Sequence, residues 1–182
     1  GMVTELVNEL IDKFEGKGPM EMISDFAFPL PAILIAGILG VPPEDREMFK
    51  DWSRKILLFT GSGRIDLNFA EKAQESRVAM SDYFRQLMNE RLRKPQDDLI
   101  SALASAREND DLLTETELVT TCGVLLVAGH ETTANLITNG FLALFQNPDQ
   151  LEELKENTSL LPRAIEEIVR YDSPIQSIPR LV

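Results

Sequence analysis

Between positions 118 and 146 the chain carries Glu131 as its only formally charged side chain. A run that long and that apolar reads as one buried helix, and the rest of the molecule has to be built around it. Thr114 followed three residues later by Glu117 forms a capping box at its start, and Asn147-Pro148 marks its end, giving an element over 114–147. Its centre is interrupted by "AGHETT" at 128–133. His130 and Glu131 at the midpoint make a bilayer a costly surrounding for it. A second uncharged run, 26–43, contains Pro29, Pro31, Pro42 and Pro43, which are expected to leave a helix too short to cross a membrane.

The remaining sequence is also written in helical period. Val3, Leu6, Val7, Leu10, Ile11 and Phe14 space one apolar face over 3–14. Pro31 opens "PAILIAGILG", which Gly40 and Pro42 close. Met48, Trp52 and Ile56 share a face of the next segment, and "TGSGRIDLN" reads as a loop. Ala73, Met80, Tyr83, Phe84, Leu87 and Met88 mark the core side of a helix over 70–93, and "DDLISALASARE" is a shorter one. "DQLEELKEN" and a helix over 161–173, stopped by Pro174, complete the set, and 176–182 reads as a short extended stub. Alternation at period two is almost absent, so the fold class is mainly α, a single partial domain over 1–182 with the opening Gly1-Met2 read as a tag scar.

Charge and cysteine content narrow the function classes. A net charge of −12 argues against a nucleic-acid or anionic-membrane partner, each of which needs clustered Lys and Arg. One cysteine, Cys122, allows neither an internal disulfide nor a multi-cysteine metal site, and a reducing, cytoplasmic setting is the expectation. His130-Glu131 begins like a zinc-protease H-E-x-x-H, but position 134 is Ala and the chain has no second histidine. No G-x-S-x-G elbow accompanies a nucleophilic serine. His130 is expected to point off the core face.

Helix geometry offers two readings of the interruption. Leu125, Ala128, Gly129, Thr132 and Leu136 fall on one stripe, whose small residues let something bulky and flat approach the backbone. Thr132 bonding back to the Ala128 carbonyl would open a widened turn, and with Glu131 beside it the turn becomes a proton-handling site in an apolar pocket. Alternatively, Thr132 satisfies itself on the helix and Gly129 permits a close helix crossing.

"AGHETT" also resembles the (A/G)-G-x-(D/E)-T-(T/S) motif of the cytochrome P-450 family, the haem-thiolate monooxygenases. Glu167-Ile168-Val169-Arg170 is similar to that family's E-x-x-R. Around them, "PLPAILIAGILGVPPED", "FKDWS", "DDLISAL" and "NPDQLEEL" resemble its soluble bacterial branch. The resemblance implies the helical core of that fold and insertion of one atom of dioxygen into a small hydrophobic substrate. It further implies haem b and a ferredoxin- or flavodoxin-type electron donor. Thr132 would be the oxygen-side alcohol and Glu131 its paired acid, together relaying protons so that the O–O bond breaks heterolytically. Ala128 and Gly129 would lie against the haem, with Leu125 and Leu136 lining the substrate pocket and Arg180 pairing a haem propionate. Thr133, Glu167 and Arg170 would be structural.

The family's axial ligand is a cysteine in a loop far beyond E-x-x-R, and Cys122, inside the motif helix, cannot replace it. The 182-residue polypeptide is therefore expected to be a central fragment, inactive alone, binding no haem, and self-associating through its uncovered apolar face. The alternative is a non-enzymatic helical interaction module in which the motif is unused.

Overall fold

A computed structural model describes residues 1–61, 67–110 and 114–176. Its elements are α1 (Met2–Asp12), a π-helical turn (Met22–Ala27), α2 (Pro29–Leu39), a 3₁₀ turn (Pro43–Asp45), α3 (Arg46–Gly61) and α4 (Leu67–Arg93). They are followed by α5 (Leu99–Asp110), α6 (Glu115–Gln146), α7 (Pro148–Glu156), a second 3₁₀ turn (Thr158–Leu160) and α8 (Leu161–Tyr171). Among the described residues there is no strand, in keeping with a mainly α chain. The proposed stub lies almost wholly outside the described residues, as does most of the expected glycine loop.

The chain divides into two compact units. The first comprises Gly1–Glu5 with Pro31–His130, the second Leu6–Leu30 with Glu131–Val182. The first unit is organised around α3, α4 and the beginning of α6. Phe49, Ile56, Met80, Phe84, Leu118 and Cys122 belong to one buried apolar cluster there. Phe49 packs edge-on to Tyr83 and Trp52, at ring-centroid separations of 4.8 and 5.1 Å. The Tyr83 hydroxyl donates to Asp45 Oδ2 at 2.6 Å, and burial followed by this carboxylate holds its pKa well above the usual phenol range.

α2 ends in a left-handed residue. Gly40 has φ +82°, its N–H donates to Gly37 O at 3.1 Å, and the Val41 N–H reaches Ala36 O at 2.9 Å, a Schellman closure. Arg91 Nη2 donates to Gly40 O at 2.8 Å, and Arg91 Nε to Asp98 Oδ2 at 2.5 Å. Asp98 also accepts from Ser101 N at 2.7 Å, capping α5. One buried ion pair thus ties the turn after α2, the end of α4 and the start of α5 together.

The second unit is less enclosed. α6 and α8 approach closely at Gly140, where a Cβ would stand 3.0 Å from Ile168 Cγ2. Asn139 Nδ2 donates to Asp172 O at 3.3 Å. Neither α7 nor α8 contains a fully buried residue, and Leu161, Ile165 and Val169 on α8 are exposed.

Two sequence expectations need correction. The second uncharged run takes part in a longer helical stretch than its prolines imply: the π-helical turn and α2 together, Met22–Leu39, span 18 residues, by length and composition enough to cross a membrane, with 44% of the stretch buried inside the protein. Pro29 and Pro31 sit in the first turn of α2, where a missing N–H costs nothing, so Pro31 opens the helix as its position implies, and the added length comes from the π-helical turn before Pro29. The widened turn at Thr132 is not seen either, since α6 is continuously α-helical. Thr121 and Thr138 bond back to Glu117 O and Ala134 O at 2.8 and 2.9 Å within the same helix, so such a bond alone does not open it.

Candidate functional site

The site is a property of the faces of α6. Its start is fixed as the sequence prescribes: Glu117 N donates to Thr114 Oγ1 at 3.2 Å, and Thr114 N donates to Glu117 Oε2 at 2.7 Å. The Thr114 N–H, and the Thr114 hydroxyl donating to the same Oε2 at 2.8 Å, hold the Glu117 carboxyl below its usual pKa. From this start, Leu118, Cys122, Leu126, His130 and Ala134 recur every fourth residue, and all are buried. His130 is fully buried, so it continues the core row and does not point off it. The period of four decides this, and the imidazole's polarity does not override it.

The opposite face is apolar and open. Val124 is 58% exposed, Leu125 is 36% exposed and Ala128 is exposed, as is Thr133. Glu131, Thr132 and Leu136 are half-buried. Gly129 departs from the open face: a Cβ there would stand 3.6 Å from Ile35 Cγ1 and Cδ1 of α2, so its missing side chain points at protein. The close-crossing reading therefore describes Gly129, while Ala128 carries the open, small-residue surface.

Beside Ala128, the first unit holds a cavity of about 500 Å³ between α3, α4 and α6, a size ordinary for a small-molecule site. Ile56, Met80, Phe84, Val119, Val124 and Ala128 form its apolar wall, and among the described residues Arg77 is the only charged one that lines it. Sequence reasoning assigned Ile56, Met80 and Phe84 to core and passed over Arg77 and Val124. Helical period shows which residues share a face but not that three such faces leave a gap. A larger cavity of about 1200 Å³ lies in the second unit between the end of α6, α7 and α8, but none of 128–133 lines it.

Glu167 and Arg170 form a forked pair, Nη2 to Oε1 at 2.6 Å and Nε to Oε2 at 2.8 Å, exposed on α8. Arg170 holds the Glu167 carboxyl below its usual pKa, and Glu167 raises that of Arg170. Arg180 lies outside the described residues.

The residues fit one side of a haem. Exposed Val124, Leu125 and Ala128 suit contact with a flat apolar ring, and Thr132 and Glu131 follow within one turn. They do not supply its axial thiolate. Cys122 is fully buried in the first unit's core, and burial pushes its thiol pKa up to about 11, so it stays protonated at neutral pH.

Comparison with known proteins gives a consistent picture. A family profile described as Cytochrome P450 matches residues 46–182. The biotin biosynthesis cytochrome P450 of Bacillus subtilis is 45% identical over 183 residues, covering 98% of this chain and 45% of that protein. Cytochrome P450 CYP107DY1 of Priestia megaterium is 42% identical over 173 residues, covering 95% and 41% respectively. The crystal structure of P450BioI in complex with an acyl carrier protein ligated to hexadec-9Z-enoic acid superposes with TM-score 0.88 at 45% identity, covering 96% of this chain and 45% of that one. The chain spans less than half the length of these relatives.

Proposed function

The chain belongs to the cytochrome P450 family, and on that premise we propose that it supplies the oxygen-side half of a haem monooxygenase active site. The observation carrying this reading is the pairing of "AGHETT" on α6 with an apolar cavity that Ala128 borders. Haem b, when bound, supplies the redox chemistry on dioxygen, with electrons from a ferredoxin- or flavodoxin-type donor. The chain's own residues hold the substrate and manage protons. Val124, Met80 and Phe84 seat an apolar organic molecule and exclude water. The Thr132 hydroxyl both donates and accepts, and the Glu131 carboxylate recharges it from solvent, so a proton is handed inward without admitting bulk water. Ala128 keeps the helix surface low there, Gly129 lets α6 pass close to Ile35 behind it, Leu125 and Leu136 flank it, and Arg180 serves a haem propionate by charge-assisted hydrogen bonds. Glu167, Arg170 and Thr133 support the scaffold. No observation favours the interaction-module alternative.

The test is Thr132→Ala in the full-length haem protein that carries this sequence. Electron uptake is expected to continue while product formed per electron falls at least about tenfold and hydrogen peroxide appears instead. Thr132→Ser should restore most of the coupling. Unchanged coupling in Thr132→Ala would remove Thr132 from proton delivery.

A further inference from the structure

We propose that Trp52, Tyr83 and Asp45 form an oxidisable relay beside the cavity, in which Tyr83 gives an electron to oxidised Trp52 and its phenolic proton to Asp45. The relay discharges a one-electron oxidant, arising from dioxygen chemistry, that finds no substrate to act on. It rests on the oxidative reading above for the source of that oxidant, and on the geometry of the first unit for the rest.

The three side chains come from α3, α4 and the 3₁₀ turn before α3, and their contacts form one line. The Trp52 and Tyr83 rings meet edge to face with centroids 6.1 Å apart, a contact that leaves no group between them. Buried Phe49 backs both rings, at 5.1 and 4.8 Å. Trp52, Tyr83 and Asp45 are each half-buried, so the line follows the rim of the core and ends at a carboxylate that water reaches. Ile56, one turn beyond Trp52 on α3, and Phe84, next to Tyr83 on α4, both line the cavity. The two oxidisable rings therefore stand behind its wall. The chain's other tyrosine, Tyr171, is 61% exposed on α8 and borders a different cavity.

Indole and phenol are the side-chain rings that lose an electron most easily, and a neutral phenol does so readily only where a base takes its proton. That base is in place: the Tyr83 hydroxyl donates to Asp45 Oδ2 at 2.6 Å, the length of a charge-assisted bond. Burial, followed by Asp45, holds the phenol pKa well above its usual range, so the proton does not leave ahead of the electron. The oxidant takes one electron from the Trp52 indole, and Tyr83 returns one to it. As it does, the Tyr83 O–H bond breaks, the proton passes to Asp45 and a neutral phenoxyl remains. Ascorbate or a thiolate in solution then restores the electron while Asp45 gives back the proton. A packing role alone would ask for a hydrogen-bond acceptor at position 45, but not for a base.

Flash oxidation of the full-length haem protein by photo-excited ruthenium tris-bipyridine with persulfate, read by freeze-quench electron paramagnetic resonance, tests this. Wild type should give a tyrosyl signal, identified by its narrowing when the tyrosines are ring-deuterated. Tyr83→Phe keeps the ring and should lose that signal, and Trp52→Phe should delay it. Asp45→Asn can still accept the hydrogen bond but cannot take the proton, so the tyrosyl yield should fall about tenfold with the packing intact. No tyrosyl signal in wild type overturns the relay, as does a signal unchanged in Tyr83→Phe, Trp52→Phe or Asp45→Asn. The oxidant comes from outside, so a failed relay leaves the oxygen-side reading standing, and unchanged coupling in Thr132→Ala leaves the relay standing.

Discussion

At the scale of single residues, burial decides roles that polarity would assign differently. His130 looks like a reactive side chain and lies in the core row, while Ala128 looks inert and borders the cavity. Their faces differ because α6 is buried along a period-four row, which the sequence contains but a search for chemistry does not weigh. Arg91 and Asp98 make the same point with charge, their side chains only 7% and 5% exposed. Burial alone would raise the Asp98 pKa; hydrogen bonds from Arg91 and Ser101 outweigh it and hold the group below the usual carboxylate range. A carboxyl whose pKa is lowered by folding contributes stability that is complete above its unfolded pKa, near about 4, and is lost as the pH falls towards the native value. Asp98→Asn should thus cost about 3 kcal/mol at neutral pH, because it leaves the Arg91 charge buried. Its denaturation midpoint should also fall less steeply than wild type's under acid. Parallel acid slopes for the two proteins would show that Asp98 is not the group being read.

At the scale of elements, the glycines of α6 separate two kinds of helix contact. A Cβ on Gly129 meets Ile35 at 3.6 Å, ordinary van der Waals distance, whereas one on Gly140 meets Ile168 at 3.0 Å. Gly129→Ala should therefore raise stability by about 0.5–1 kcal/mol through helix propensity. Gly140→Val should lower it by about 1–3 kcal/mol through overpacking. Thermal melts check both, and Ile168→Ala should recover part of the Gly140→Val loss if the clash is the cause. Much of this level was legible beforehand. The Thr114–Glu117 box, the core face of α4 and the end of α6 at Asn147 all follow from local rules that tertiary packing leaves intact. The full helical length at α2 was not legible, because the π-helical turn over Met22–Ala27 lies ahead of the prolines, which open α2 as expected. The cavity was not legible, because three amphipathic faces can close on one another or leave space, and the choice depends on how their side chains fill the gap.

At the scale of the whole molecule, apolar surface is distributed unevenly. Phe141, Leu142 and Phe145 on α6 and Ile165 and Val169 on α8 are 37–64% exposed. Such surface is more than scattered single residues would give, and the 182-residue polypeptide on its own should bind a hydrophobic dye and self-associate. Light scattering returning a monomer with no dye signal would contradict this. α7 and α8, without a fully buried residue, should also exchange their amide hydrogens well before α3 and α4.

Trp52 is the chain's single tryptophan, and it packs beside Phe49 and Tyr83 in the first unit. Indole emission therefore watches one half of the polypeptide and is blind to the other. A denaturation curve followed by that light would certify the α3–α4 core while α7 and α8 had already melted, and only a far-ultraviolet signal beside it would expose the difference.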